Sequence, residues 1–182
     1  MSGIAEIEKH LPSKIWTIGH SKCSSQDLIQ TLKRYGIDLV ADVRRFPNSR
    51  NNPQFNQDEL GRQLAAAGIG YRHFPDLGGR RRPRPDSANT VWKNPSFKGY
   101  ADYMETADFE FAIDRLLKTA AGQNVVVMCA EAVWWRCHRR LISDYLVALG
   151  IDVIHILSGT NSNRHALTRG AKVEEGRLSY RE

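Results

Sequence analysis

At 182 residues, with 41% hydrophobic and 25% charged residues and a mean hydropathy of −0.47, the chain has the size and make-up of one well-buried globular domain. No apolar run approaches the roughly 18 residues of a membrane helix, and three cysteines, an odd number, do not read as a disulfide framework. The net charge of +6 favours anionic partners, with nucleotides and nucleic acid among them.

The opening MSGIAEIEKHLPSK lacks the charged-then-apolar pattern of a signal peptide. Residues 1–14 therefore read as an N-terminal extension, and 15–182 as the single domain of a cytoplasmic protein. Ile15-Trp16-Thr17-Ile18-Gly19 predicts the first strand, ending in Gly19-His20-Ser21. Ser24 or Ser25 caps a helix through Leu28, Leu32 and Tyr35, which Gly36 stops. Ile37 to Val43 predicts the second strand. After a polar loop, Asn56 caps a helix over Gln57 to Ala67, and Ile69 to Phe74 predicts a weaker third strand. From Pro75 to about Pro95 runs a segment rich in Gly, Pro and Arg, and loops of that length are uncommon unless functional or disordered. Within it, Gly79 to Arg84 carries four arginines in six residues; the plain alternative is a solvated basic loop. A helical stretch starts at Ser96 or Thr106 and ends near Ala121.

The stretch QNVVVMCAEAVWWRCHR, Gln123 to Arg139, organises the rest. Val125 to Met128 is short, continuous and β-branched, the pattern of a strand buried on both faces. From Trp135 onward, Leu141, Ile142, Tyr145, Leu146 and Leu149 recur at helical spacing. Ile151 to Leu157 predicts a fifth strand, and the alternation from Ala171 to Tyr180 suggests a small hairpin. Strands alternating with helices give an α/β fold: a single three-layer domain with a mostly parallel sheet of about five strands and a short C-terminal hairpin.

In such a sheet the strand carboxyl ends share one edge, where ligand crevices form. His20, Ser21, Asp42, Arg44, Arg80, Cys129 and Glu131 all follow strands and converge there. Cys137 shares a helix face with Leu141 and Tyr145 and reads as core. Arg139 shares a face with Ile142 and Leu146. A buried guanidinium without a partner is costly, so a carboxylate or an anionic ligand is expected beside it. Three chemistries fit these residues. Cys129 is a nucleophile stabilised by the helix start and by His138 or Arg139, as in phosphatase or sulfurtransferase loops, although Arg136 lies one residue too far for a phosphatase loop. Alternatively Cys129, Cys137 and His138 bind zinc, against which stand the absence of a short C-x₂₋₄-C pair and the divergence of adjacent residues on a helix. In the third, preferred reading, Glu131, Asp42 and His20 do acid–base work on a ligand whose anionic part Arg44, Arg80 and Arg139 hold. That reading calls for no cofactor and no metal, and Tyr100, Tyr103, Trp134 and His138 complete its substrate contacts.

The segments TIGHS (Thr17–Ser21), DVRRFPNSRNNPQF (Asp42–Phe55), LGGRRRPRPDS (Leu77–Ser87), FKGYADYM (Phe97–Met104) and CAEAVWWRCHR (Cys129–Arg139) resemble the bacterial family catalogued as domain of unknown function 488. The likeness runs from about Ile15 to Ile156. It implies a compact cytoplasmic α/β domain in which these residues form one site, and it implies no particular reaction. The expected function is an enzyme acting on a phosphorylated or nucleotide-like substrate, which includes nucleic acid. The alternative is a non-catalytic module that binds nucleotides or nucleic acid.

Overall fold

The computed structural model describes residues 11–174 and 176–182. Residues 1–10 of the expected N-terminal extension lie outside it. Six strands form the main sheet: β1 (Lys14–Gly19), β2 (Leu39–Asp42), β3 (Gly70–His73), β4 (Val125–Cys129), β5 (Asp152–Ile156) and β6 (Ser162–Arg164), in the order β3-β2-β4-β1-β5-β6. The first five run parallel and β6 antiparallel. A hairpin of β7 (Lys172–Glu174) and β8 (Arg177–Ser179) stands apart. The structure is thus the expected α/β fold with one further edge strand. β6 reads Ser-Asn-Arg and is exposed throughout, so it carries none of the apolar alternation by which strands are recognised.

β4 sits at the middle of the sheet and is buried at all five residues. Val125, Val127 and Cys129 face one core and Val126 and Met128 the other. The second core is closed by α1 (Ser25–Arg34), through Leu28 and Leu32, and by α2 (Gln57–Ala66), through Leu60 and Leu64. On the first face lie α3 (Pro95–Met104), α4 (Ala107–Ala120) and α5 (Arg139–Ala148). These are the three expected layers. Among the described residues no helix is long and apolar enough to cross a membrane.

Local chemistry sets the helix limits. The Ser24 hydroxyl accepts from the Asp27 amide at 3.0 Å and starts α1; Gly36, at φ 63°, ends it. The stretch between Ser96 and Ala121 is two helices with separate caps. The Asn94 side chain accepts from the Ser96 amide before α3, and Thr106, in extended backbone, accepts from Phe109 before α4. The helix expected from Trp135 begins only at Arg139. Trp134 to Arg136 form a 3₁₀ turn, and Cys137 is extended at φ −129°, ψ 154°.

The connections reverse direction at the centre of the sheet. From β1 the chain passes through α1 toward β2, and from β4 through α5 on the opposite face toward β5. The loops after β1 and β4 therefore part at a topological switch point, where open α/β sheets form their crevices.

Candidate functional site

Gly19 closes β1 because no other residue fits there. A Cβ at this position would fall 1.8 Å from the Glu131 carbonyl oxygen and 2.8 Å from the Arg139 guanidinium. The loop after β4 crosses it and extends the ladder, with the His20 amide on the Cys129 carbonyl and the Ser21 amide on the Ala130 carbonyl, both at 3.0 Å.

At the end of β2 the Asp42 carboxylate is fully buried and saturated with donors. It accepts Arg44 Nε at 2.9 Å, Arg44 Nη2 at 2.6 Å, the Arg44 amide at 3.0 Å and the Tyr71 hydroxyl at 2.6 Å. Asp42 thereby fixes Arg44. His20 donates from Nδ1 to the Ser21 carbonyl at 3.0 Å, which leaves Nε2 to accept from Arg44 Nη1 at 3.3 Å. Its ring stacks on Phe55 at 4.0 Å. Burial, reinforced by the Arg44 cation, lowers its pKa to about 4, so the ring is neutral at pH 7.

At the end of β4, Cys129 Sγ lies 2.9 Å from Cys137 Sγ, and both thiols are free. The 3₁₀ turn makes this contact. Because Cys137 precedes α5 in extended backbone, it and His138 do not diverge as two successive helical residues would, and Cys137 Sγ is 3.4 Å from His138 Nδ1. His138 Nε2 donates to the Val43 carbonyl at 3.1 Å, which turns Nδ1 toward the sulfur. The pair titrates as a unit. A hydrogen bond from Cys129, outweighing burial and helped by His138 and Arg139, holds Cys137 well below the ordinary thiol value. Burial and the same shared proton hold Cys129 above it. No group of three or more His, Cys, Asp or Glu side chains among the described residues is arranged to hold a metal ion.

Arg139 is the bulkiest fully buried side chain. The carboxylate or anionic ligand expected beside it is not its direct partner. Its Nε donates to Cys129 Sγ at 3.0 Å, its Nη2 to the Glu131 carbonyl, and its Nη1 to Thr17 Oγ1 at 3.4 Å. A carboxylate is reached at the end of a buried relay. Thr17 Oγ1 meets His155 Nδ1 at 2.7 Å, His155 Nε2 meets His165 Nδ1 at 2.8 Å, and His165 Nε2 meets Asp144 Oδ1 at 2.9 Å. Asp144 also accepts from the Thr168 amide and the Tyr180 hydroxyl.

Above these groups opens a cavity of about 550 Å³ lined by Arg44, Arg80, Tyr100, Cys129, Glu131 and His138, together with Arg45, Phe46, Phe97, Arg136 and Cys137. Of the expected site residues, His20, Asp42 and Arg139 lie behind this wall and hold its members. Ser21, at φ 48°, lends only its backbone. Tyr103 is turned away, its hydroxyl on the Asp76 carbonyl and the Arg81 guanidinium 3.6 Å over its ring. Trp134 lies flat on His155 at 4.1 Å, and Tyr100 is buried with its hydroxyl on the Leu77 carbonyl. The aromatic surface in the cavity mouth is instead Phe46, 67% exposed. Sequence reasoning passed over it, although an apolar ring directly after Arg44-Arg45 in a polar loop is the signal that marks it.

The family model described as "Domain of unknown function DUF488" matches residues 24–146, more than half of the chain and most of the segments around the cavity. The chain belongs to the DUF488 family. Residues in and just after β1 and in β5 that serve the site, Thr17, Gly19, His20 and His155, lie outside the matched DUF488 range. No curated protein and no solved structure matches the chain.

Proposed function

We propose that the chain is a cytoplasmic enzyme that binds a phosphorylated or nucleotide-like substrate in the cavity at the ends of β2 and β4. One observation carries the reading. Arg45, Arg80 and Arg136 line the cavity and form no ion pair among the described residues, while Glu131 is the one carboxylate there. Arg44, held by Asp42, adds a positioned donor whose charge that carboxylate offsets. A site with that excess of forked donors suits phosphate oxygens. The exposed face of Phe46, between Arg45 and Arg80 at 6.0 and 5.9 Å, suits a base or another planar group. Glu131 is the acid–base candidate because it is exposed in the cavity and its Oε1 takes only the Val133 amide, at 3.4 Å. Asp42 and His20 support the reaction from behind Arg44.

Titration calorimetry with inorganic phosphate, pyrophosphate and nucleotides tests the binding part. Arg80→Ala and Arg136→Ala should each weaken binding about tenfold and reduce its salt dependence; unchanged affinity in both removes the phosphate reading. With a ligand in hand, Glu131→Gln should leave affinity in place and cut turnover by about 10²–10⁴-fold, the usual contribution of a general acid or base. Wild type that binds but transforms nothing supports the second reading, a non-catalytic module that binds nucleotides or nucleic acid. That alternative draws on the exposed Arg82 and Arg50 outside the cavity and on the net charge.

A further inference from the structure

The acid–base reading leaves the most unusual pair of groups in the cavity without a task. Cys129 and Cys137 come from different elements, the end of β4 and the turn before α5, and their sulfurs meet at 2.9 Å. That is well inside the van der Waals contact of two sulfurs, and less than an ångström from the roughly 2.05 Å of a disulfide bond. Both residues line the floor of the cavity, where each is buried but for a few per cent of its surface. The surroundings are arranged for a thiolate. The Arg139 guanidinium donates to Cys129, the Arg139 amide at the start of α5 approaches Cys137 at 3.5 Å, and His138 Nδ1 flanks Cys137 at 3.4 Å. A thiol pair beside a guanidinium, each sulfur in reach of the other, is the arrangement of reversible redox cysteines. Cys23, the third cysteine, has no such setting: burial and nearby Asp27 push its pKa up.

We propose that Cys129 and Cys137 are a redox pair that reduces a hydroperoxide and closes into an intramolecular disulfide. The Cys137 thiolate attacks the terminal oxygen of ROOH. The O–O bond breaks, its electron pair leaves with RO⁻, which takes a proton from water, and Cys137 becomes a sulfenic acid. Cys129 then attacks the Cys137 sulfur. The S–O bond breaks, and hydroxide leaves with the Cys129 proton as water. The two sulfurs together lose two electrons and the peroxide gains them. A dithiol reductant restores both thiols by exchange. Cys129 already lies 2.9 Å from the sulfur it attacks, and Arg139 remains against the closed pair.

The test needs no substrate, so its outcome is separate from that of the phosphate reading. Full-length protein is treated with stoichiometric hydrogen peroxide, denatured, alkylated and weighed intact by mass spectrometry. One of the three cysteines should remain alkylatable, peptide mapping should join Cys129 to Cys137, and dithiothreitol should restore all three. Cys23→Ser should behave in the same way with no free thiol left. Cys129→Ser, trapped with dimedone, should carry the adduct on Cys137. Should the cysteine variants fail to fold, the wild-type measurement decides by itself. Three alkylatable thiols after peroxide, oxidation confined to Cys23, or direct passage of Cys137 to sulfinic acid without a disulfide each overturn the proposal.

Discussion

Arg139 shows how far a single residue can be read. Its helical phase with Ile142 and Leu146 announces burial, and burial is what the structure has. Its partners are a sulfur, a hydroxyl and two backbone carbonyls, presented by β4, β1 and the loop after β4. The nucleophile reading already set Cys129 beside it; the carbonyls were beyond the sequence, since any residue supplies one. Phase along one helix says which way a side chain points; it carries no information on what another segment presents there. Arg139→Met keeps much of the volume and removes the donors. Leaving buried acceptors unpaired costs about 1–3 kcal/mol per group, so the variant should lose about 2–4 kcal/mol in urea unfolding at pH 7. A midpoint equal to wild type would mean that the guanidinium does not hold the loop after β4.

At the scale of elements, the arginine-rich segment before α3 is the clearest case. Its length and composition suggest a functional loop, and Arg80 does line the cavity. Arg81 and Arg84 serve the fold. Arg81 lies over Tyr103 and donates to the Asp76 carbonyl at 2.7 Å, while Arg84 pairs with Glu105 at 2.5 Å. The loop is pinned by Asp102, buried on α3, which accepts from the Arg84 amide at 2.7 Å, the Ser87 hydroxyl at 2.6 Å and Asn89 Nδ2 at 2.8 Å. Burial pushes that carboxyl up, but these three donors outweigh it and leave its pKa lowered. The pin was not legible because it sits in the next helix, 18 residues beyond Arg84, where an aspartate reads as a surface residue. Asp102→Ala should destabilise the protein by about 3 kcal/mol, from several buried donors left unpaired. It should also raise amide hydrogen exchange between residues 82 and 90; protection equal to wild type would show that the segment is held by its own packing.

Across the whole molecule, periodicity marks the five parallel strands but not their order. That β4 is central follows from its burial on both faces; that it enters between β1 and β2 depends on pairings such as Ala41 with Val127, 86 residues apart, which local pattern does not record. The same order buries His20, His155 and His165. Burial, with Arg44, lowers His20 to about 4, and burial, with His165 and Arg139, lowers His155 to about 3. For a base, a lowered pKa means that the fold refuses a proton the unfolded chain accepts. Above the unfolded value of 6.5 neither group affects stability. As pH falls from there toward 4, the unfolded state takes up protons first and stability drops. Below about 3 these two groups remove nothing more. Urea midpoints measured from pH 7.5 to 4 should decline, and the decline should be shallower in His20→Gln. A flat profile in wild type would mean that both rings protonate as readily in the fold as outside it.

With one proton on each imidazole, the relay from Arg139 to Asp144 has a single orientation. A guanidinium can only donate and a carboxylate can only accept, so each link between them has its direction set from both ends: Thr17 donates to His155, His155 to His165, and His165 to Asp144. A proton moving along such a row must leave every link reversed, and the row would then have to turn over before carrying the next. With its two ends unable to exchange roles, it cannot turn over. It is a strut and not a conduit, and it carries the charge of Asp144 toward the floor of the cavity as fixed dipoles rather than as protons.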